Sequence, residues 1–135
     1  MSASPLLKGK RILIGKPGLD GHDIGAKIVA LALRNSGAEV IYTGLRRSPE
    51  QIARIAADEG VDAVGLSILS GSHKELVSDV VAQMRTHKTS NVKLFVGGTI
   101  PVEDYDYLRS VGVSEIFTAD MPLEDMVRKL AESLA

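Results

Sequence analysis

A short segment near the amino terminus carries the residues best suited to chemistry. Lys16, Asp20 and His22 lie in one loop, Lys16–Gly25, which also contains three glycines. A histidine that ligates a metal through one ring nitrogen usually donates its other N–H to a carboxylate, which fixes the tautomer and raises the basicity of the ring. Asp20 could accept that bond, and Lys16 could pair with Asp20 and tune its charge. Taken alone, however, the loop also fits an exposed histidine that binds nothing.

Two later segments place small residues where strands are predicted to end. Ser67–Gly71 follows the third predicted strand, and Val96–Thr99, with Gly97 and Gly98 at its centre, follows the fourth. Glycine lets the backbone turn sharply or approach a ligand closely. Each segment alone is compatible with an ordinary turn, but together they leave room for a flat group at the mouth of a sheet.

The elements that would position these loops alternate between strand and helix. Short apolar runs bounded by turn signals predict five strands, at Arg11–Gly15, Glu39–Thr43, Ala63–Ser67, Val92–Val96 and Glu115–Thr118. Helical patterns lie between the strands and after the last one. The first helix is predicted over Ile24–Asn35, capping boxes at Ser48–Gln51 and Ser72–Glu75 begin the next two, and Pro101 opens the fourth. The fifth has Pro122 in its first turn and an apolar stripe at Leu123, Val127, Leu130 and Leu134.

This alternation predicts an α/β fold, a flavodoxin-like or Rossmann-like doubly wound sheet of five parallel strands in the order 2-1-3-4-5. In such sheets ligands bind outside the carboxyl ends of the strands, near the point where the strand order reverses. The loops after strands 1, 3 and 4 should therefore meet at one end of the sheet. We expect a single domain over residues 1–135, with its core at about 10–134.

Composition narrows the function further. The net charge of -1 gives no basic field of the kind that nucleic-acid binders show. The absence of cysteine excludes disulfides, Cys-based zinc sites, iron–sulfur clusters and cysteine nucleophiles. Residues 1–10 hold too short an apolar run for a signal peptide, and no stretch approaches the ~20 apolar residues of a membrane span. We expect a cytoplasmic protein that binds neither membrane nor nucleic acid.

Three motifs together carry a family resemblance. The chain reads D-x-H-x-x-G at Asp20–Gly25, S-x-L at Ser67–Leu69, and Gly97-Gly98, with residues 26–66 and 70–96 as the two spacers. The set resembles the cobalamin-binding domain of the base-off, histidine-on class. It is most similar to the small subunit or carboxyl-terminal domain of acyl-CoA mutases, and the resemblance covers about residues 10–134.

The resemblance implies a role for each motif. His22 would ligate the cobalt of adenosylcobalamin in place of the cofactor's own benzimidazole, with Asp20 as its hydrogen-bond partner and Lys16 behind Asp20. Ser67 would hydrogen-bond the displaced benzimidazole nitrogen in a narrow channel beside the first helix. The full implied set of cofactor-binding residues is Asp20, Gly21, His22, Asp23, Ile24, Gly25, Gly65, Ser67, Leu69, Gly71, Gly97, Gly98 and Phe117.

The resemblance also implies an isomerase that acts through radical carbon-skeleton rearrangement, with the chemistry supplied by the cofactor. A chain of this length cannot contain the TIM barrel that binds acyl-CoA in the family. It implies a separate large subunit, in a heterotetramer, and a small subunit that is inactive alone and carries no residue acting on substrate. Thr118–Pro122 stands where methylmalonyl-type domains have a Gly-Pro-Gly loop, which favours a 2-hydroxyisobutyryl-CoA mutase over a methylmalonyl-CoA or isobutyryl-CoA mutase.

Other classes share parts of this pattern. A corrinoid methyl-carrier protein shares D-x-H-x-x-G, but usually has an amino-terminal helical bundle and lacks a lysine four residues before the aspartate. A receiver domain would need a phosphorylatable aspartate where Ser67 stands and a lysine where Thr118 stands. A dinucleotide site, a P-loop or an FMN phosphate loop is not supported by Lys16–Gly25. His73 and His87 are expected to be exposed at helix ends, with a peripheral corrin contact open for His73.

Overall fold

The computed structural model describes residues 6–16, 24–44, 47–68, 73–87, 89, 91–98, 100–118 and 121–135. Strands and helices alternate along the chain. The strands are β1 (Arg11–Gly15), β2 (Glu39–Tyr42), β3 (Ala63–Ile68), β4 (Lys93–Gly98) and β5 (Glu115–Thr118). The helices are α1 (Ile24–Asn35), α2 (Pro49–Glu59), α3 (His73–Thr86), α4 (Tyr105–Val111) and α5 (Leu123–Leu134), with one 3-10 turn (Val102–Asp104) before α4.

The five strands form one parallel sheet in the order β2-β1-β3-β4-β5, which confirms the predicted fold and strand order. The register brings residues of three strands side by side at the carboxyl end of the sheet. Ser67 of β3 pairs with Gly97 of β4, and Gly97 pairs with Phe117 of β5. Because side chains alternate along a strand, these three residues lie on the same face of the sheet.

Helices cover both faces of the sheet, as its apolar strands require. On one face, α2, α3 and α4 pack against Leu13, Val64 and Val96. On the other, α1 and α5 pack against Ile12 and Phe95. The face covered by α1 and α5 also carries Ser67, Gly97 and Phe117, at the carboxyl end of the sheet.

Local signals explain where several elements begin. Ser48 caps α2: its hydroxyl accepts from the Gln51 N–H, and the Gln51 side chain accepts from the Ser48 N–H, so the predicted capping box is confirmed. Ser72 of the second predicted box lies outside the described residues. Pro101 opens the 3-10 turn and Pro122 stands one residue before α5.

No helix in the described part of the chain is long and apolar enough to cross a membrane.

Several predicted boundaries and one predicted stripe were wrong in detail. β4 runs on through Gly97 and Gly98, and β3 through Ile68, because these residues pair with the neighbouring strands. Pro101 leads into a 3-10 turn before α4 begins. In α5, Leu123 is 40% exposed and does not belong to the buried stripe, whereas Met126 does.

Candidate functional site

A cavity of about 310 Å³ opens between the carboxyl end of the sheet and the helices α1 and α5. Its floor is formed by β3, β4 and β5, and its walls by the two helices and the turn before α5. Most of the described side chains around it are apolar. The described residues that line it are Ile14, Ala26, Ile28, Val29, Gly65, Leu66, Ser67, Phe95, Gly97, Gly98, Phe117, Thr118, Met121, Leu123 and Met126.

Gly65 determines how the floor of the cavity packs. The ring of Phe95, its partner on β4, occupies the space that a side chain at Gly65 would take, and a Cβ there would overlap that ring. Phe95 also meets Phe117 edge to face, with ring centroids 5.7 Å apart and planes at 65°. This geometry is favoured for aromatic pairs. The two rings therefore form a fixed apolar base for the cavity.

Gly97 and Gly98 serve different purposes. A Cβ built on Gly97 meets only the main-chain oxygen of Phe117, at 3.6 Å, so packing does not demand glycine there. Gly97 faces the cavity, and any side chain would take up cavity space. Gly98 has φ +132° and its added Cβ would overlap the carbonyl of Ile68, so the backbone itself requires glycine at that position.

Lys16 ties the end of β1 to the end of β3. Its side chain is completely buried, and its Nζ donates to the main-chain oxygen of Ser67 at 3.2 Å. Buried lysine is rare unless its charge meets polar partners. Lys16 thus stands at the start of the loop that carries Asp20 and His22, and holds that start against the S-x-L segment.

The structure brings together five of the residues implied by the resemblance: Gly65, Ser67, Gly97, Gly98 and Phe117 all line one cavity. Ile24 and Gly25 are the first residues of α1. The remaining predicted positions, Asp20, Gly21, His22, Asp23, Leu69 and Gly71, lie outside the described residues. Among the residues that are described, no group of three or more His, Asp or Glu side chains could hold a metal ion.

Sequence reasoning missed several lining residues, chiefly Ile14, Phe95, Met121 and Met126. Phe95 could have been found, since a glycine in a strand often marks a place where a neighbouring ring fills the space. Ile14 follows from the same alternation that places Gly65 on this face. The positions of Met121 and Met126 depend on how the chain passes from β5 into α5, and no local sequence pattern specifies that path.

The cavity suits a flat, largely apolar heterocycle. Gly97 leaves a slot without a side chain, the Phe95–Phe117 pair supplies an apolar floor, and the Ser67 hydroxyl offers one donor at the cavity. A buried heterocycle needs this combination, because an apolar ring gains from burial while its nitrogen requires a partner. The described residues therefore fit the nucleotide tail of a corrinoid.

Comparison with known proteins agrees with this geometry. Residues 10–127 match the model of the B12-binding domain family. The chain is 37% identical, over 93% of its own length and 92% of the relative's, to the 2-hydroxyisobutanoyl-CoA mutase small subunit of Aquincola tertiaricarbonis. It is 47% identical over 80% of its length to the ethylmalonyl-CoA mutase of Cereibacter sphaeroides, of which it spans 16%. It also spans 16% of the methylmalonyl-CoA mutase of Escherichia coli, at 39% identity.

Solved structures share the fold at lower identity. A cobalamin-binding protein from Desulfitobacterium hafniense superposes with a TM-score of 0.79 at 22% identity, over 95% of this chain and 60% of that one. The receiver domain of a NarL-type regulator from Mycobacterium tuberculosis superposes at 0.71 with 16% identity, over 94% of this chain and 97% of that one. The fold is thus common to several classes, and it is the sequence match that distinguishes them. The chain belongs to the family of B12-binding domains, together with the cobalamin-binding domains of acyl-CoA mutases.

Proposed function

We propose that this chain is the cobalamin-binding small subunit of an adenosylcobalamin-dependent acyl-CoA mutase, and that it holds the cofactor base-off with His22 as the lower cobalt ligand. The observation that supports it most is the apolar cavity at the carboxyl end of β3, β4 and β5, which has a side-chain-free slot at Gly97. A cofactor whose base has left the cobalt needs such a cavity for the base.

Under this proposal the chain's own residues bind and orient the cofactor. His22 would bind cobalt through one ring nitrogen, and Asp20 would accept a hydrogen bond from the other ring N–H. Lys16 fixes the start of their loop through its hydrogen bond to the main-chain oxygen of Ser67. The cofactor, when bound, supplies the radical chemistry of carbon-skeleton isomerisation. The proposed cofactor contacts also include Gly21, Asp23, Leu69 and Gly71, together with Ile24 and Gly25 at the start of α1.

The proposed partner is a large acyl-CoA-binding subunit with a TIM barrel, joined in a heterotetramer in the cytoplasm, and the proposed domain spans residues 1–135. The Aquincola tertiaricarbonis relative, which matches over nearly the whole length of both chains, is a small subunit by name. This supports the division into two subunits. It also supports 2-hydroxyisobutanoyl-CoA as the substrate type. Ethylmalonyl-CoA and methylmalonyl-CoA mutases match smaller shares of their own length.

Replacement of His22 tests the proposal. We expect His22→Ala to keep the fold, measured by circular dichroism, and to lose the histidine-ligated form of cobalamin, measured by the absorption spectrum of the bound cofactor. His87→Ala, at the half-buried turn after α3, is the matched control and should bind as the unmodified chain does. Unchanged binding and spectrum in His22→Ala would contradict the proposal.

A further inference from the structure

Arg47 lies in the connection between β2 and α2, and its hydrogen bonds link that connection to the end of β1. Its main-chain N–H donates to the main-chain oxygen of Lys16 at 3.3 Å, and its Nε donates to the main-chain oxygen of Thr43 at 2.7 Å. The N–H of Thr43 in turn donates to the main-chain oxygen of Ile14 at 3.0 Å. The connection is therefore bonded to the end of β1 at two points, Ile14 and Lys16.

Lys16 is thus held from two sides. Its main-chain oxygen accepts from Arg47, and its buried Nζ donates to the main-chain oxygen of Ser67 at 3.2 Å. The two partners belong to the segments on either side of β1, because β2 and β3 are its neighbours in the sheet. Lys16 begins the loop that contains Asp20 and His22, both of which lie outside the described residues.

We propose that Arg47 is a positioning residue for the cofactor. Its Nε bond to Thr43 holds the β2–α2 connection against Lys16, and so keeps the start of the loop in the place from which His22 binds cobalt. The inference rests on the proposed function, because it takes His22 to be the cobalt ligand. It assigns a role to a residue that belongs to none of the three sequence motifs.

The Nε bond matters because it closes a segment that contains glycine. Gly44 lies between Thr43 and Arg47 and has φ +86°, and glycine allows a backbone more conformations than any other residue. The cofactor loop contains Gly18 and Gly21, which widen its own range in the same way. A loop whose start is fixed before binding loses less conformational entropy when it binds, and this raises the affinity.

The same bond is not required for α2 to begin. That helix is capped by the reciprocal bonds between Ser48 and Gln51, which involve no atom of Arg47. The side chain of Arg47 belongs to an exposed residue, so its replacement does not open the core. We therefore expect the loss of the Nε bond to affect the cofactor loop and to leave the fold intact.

Two variants separate the hydrogen bond from the charge and the length of the side chain. In Arg47→Gln and Arg47→Met the last heavy atom stands as many bonds from the backbone as Nε of arginine, but only glutamine carries an N–H there. Arg54→Met is the control, since that exposed arginine of α2 pairs with Glu50. Urea unfolding checks the fold. Isothermal titration of the full 135-residue chain measures the affinities for cobalamin and for cobinamide, which lacks the nucleotide.

We expect Arg47→Met to fold and to bind both corrinoids about two- to tenfold more weakly, the size expected for one hydrogen bond. The loss should be the same for both, because the loop acts on cobalt and not on the nucleotide. Arg47→Gln and Arg54→Met should bind as the unmodified chain does.

Four results would overturn the inference and leave the proposed function standing: unchanged binding by Arg47→Met, an equal loss in Arg47→Gln, a loss confined to cobalamin, or an Arg47→Met chain that does not fold. The EPR spectrum of cob(II)alamin bound to the unmodified chain labelled with 15N-histidine distinguishes the two claims. A spectrum without a histidine ligand on cobalt would overturn both.

Discussion

The buried ammonium of Lys16 donates to the main-chain oxygen of Ser67 across the boundary between β1 and β3. This bond joins two motifs that are distant in sequence: the loop that carries Asp20 and His22, and the S-x-L segment. The bond therefore anchors the first loop to the strand that also borders the cavity.

Loss of this bond should weaken cobalamin binding. A hydrogen bond from a charged group contributes about 1.5–3 kcal/mol, so we expect Lys16→Met to lower the affinity for cobalamin by about tenfold or more while the chain stays folded. Isothermal titration and circular dichroism measure the two effects. Lys93→Met, at an exposed position of β4, is the control and should bind normally. Equal affinities of both variants would show that the bond does not support the site.

The glycines at 65 and 97 should respond to alanine in opposite ways. In Gly97→Ala the new methyl group meets only an oxygen at 3.6 Å, so the chain should fold normally but bind cobalamin severalfold more weakly, while cobinamide binding stays the same. In Gly65→Ala the methyl group overlaps the Phe95 ring, and overpacking of this kind costs about 1–3 kcal/mol of unfolding free energy. Urea unfolding and corrinoid titration measure these effects. Similar unfolding costs for both would refute the distinction.

Ser67 should matter only for corrinoids that carry a base. A neutral hydrogen bond contributes about 0.5–1.5 kcal/mol, so Ser67→Ala should reduce cobalamin affinity by about two- to tenfold and leave cobinamide affinity unchanged. Ser110→Ala is the control, since that exposed hydroxyl donates to the Tyr107 carbonyl within α4, away from the cavity. A loss shared by cobalamin and cobinamide would indicate a structural role for the Ser67 hydroxyl instead.

The chain alone should not rearrange acyl-CoA. None of the described side chains at the cavity is an acid–base group, and the proposed substrate site belongs to the large subunit. We expect no product from 2-hydroxyisobutanoyl-CoA or methylmalonyl-CoA with this chain and adenosylcobalamin, assayed by chromatography of the acyl-CoA pool. Turnover by the isolated chain would contradict the proposed division of labour between the subunits.

The fold was predictable because its signals are local. Short apolar runs separated by capped helices identify the strands, and parallel β–α alternation permits few arrangements, so the order 2-1-3-4-5 followed. Strand ends were less predictable: Gly97 and Gly98 have the composition of a turn, yet pairing with β3 and β5 holds them in β4. Tertiary pairing overrode local preference there.

The site was predictable only in part. Gly65, Ser67, Gly97 and Phe117 could be placed on one face by the period of two along strands. The lining residues on the helices could not be placed from the sequence, because apolar residues occur around most of α1. Ile28 is 49% exposed and Leu31 is 54% exposed, although both belong to its apolar pattern. Periodicity identifies apolar positions, but it does not say which of them the sheet covers.

The central claim is that a protein histidine replaces the cofactor's own base on cobalt. The EPR spectrum of cob(II)alamin bound to this chain labelled with 15N-histidine, with the large subunit present, tests it most directly. Our account predicts a doublet superhyperfine splitting, from one 15N ligand, that disappears in His22→Ala. A triplet splitting, from the 14N of the benzimidazole, would show that the base stays on cobalt and would contradict the account.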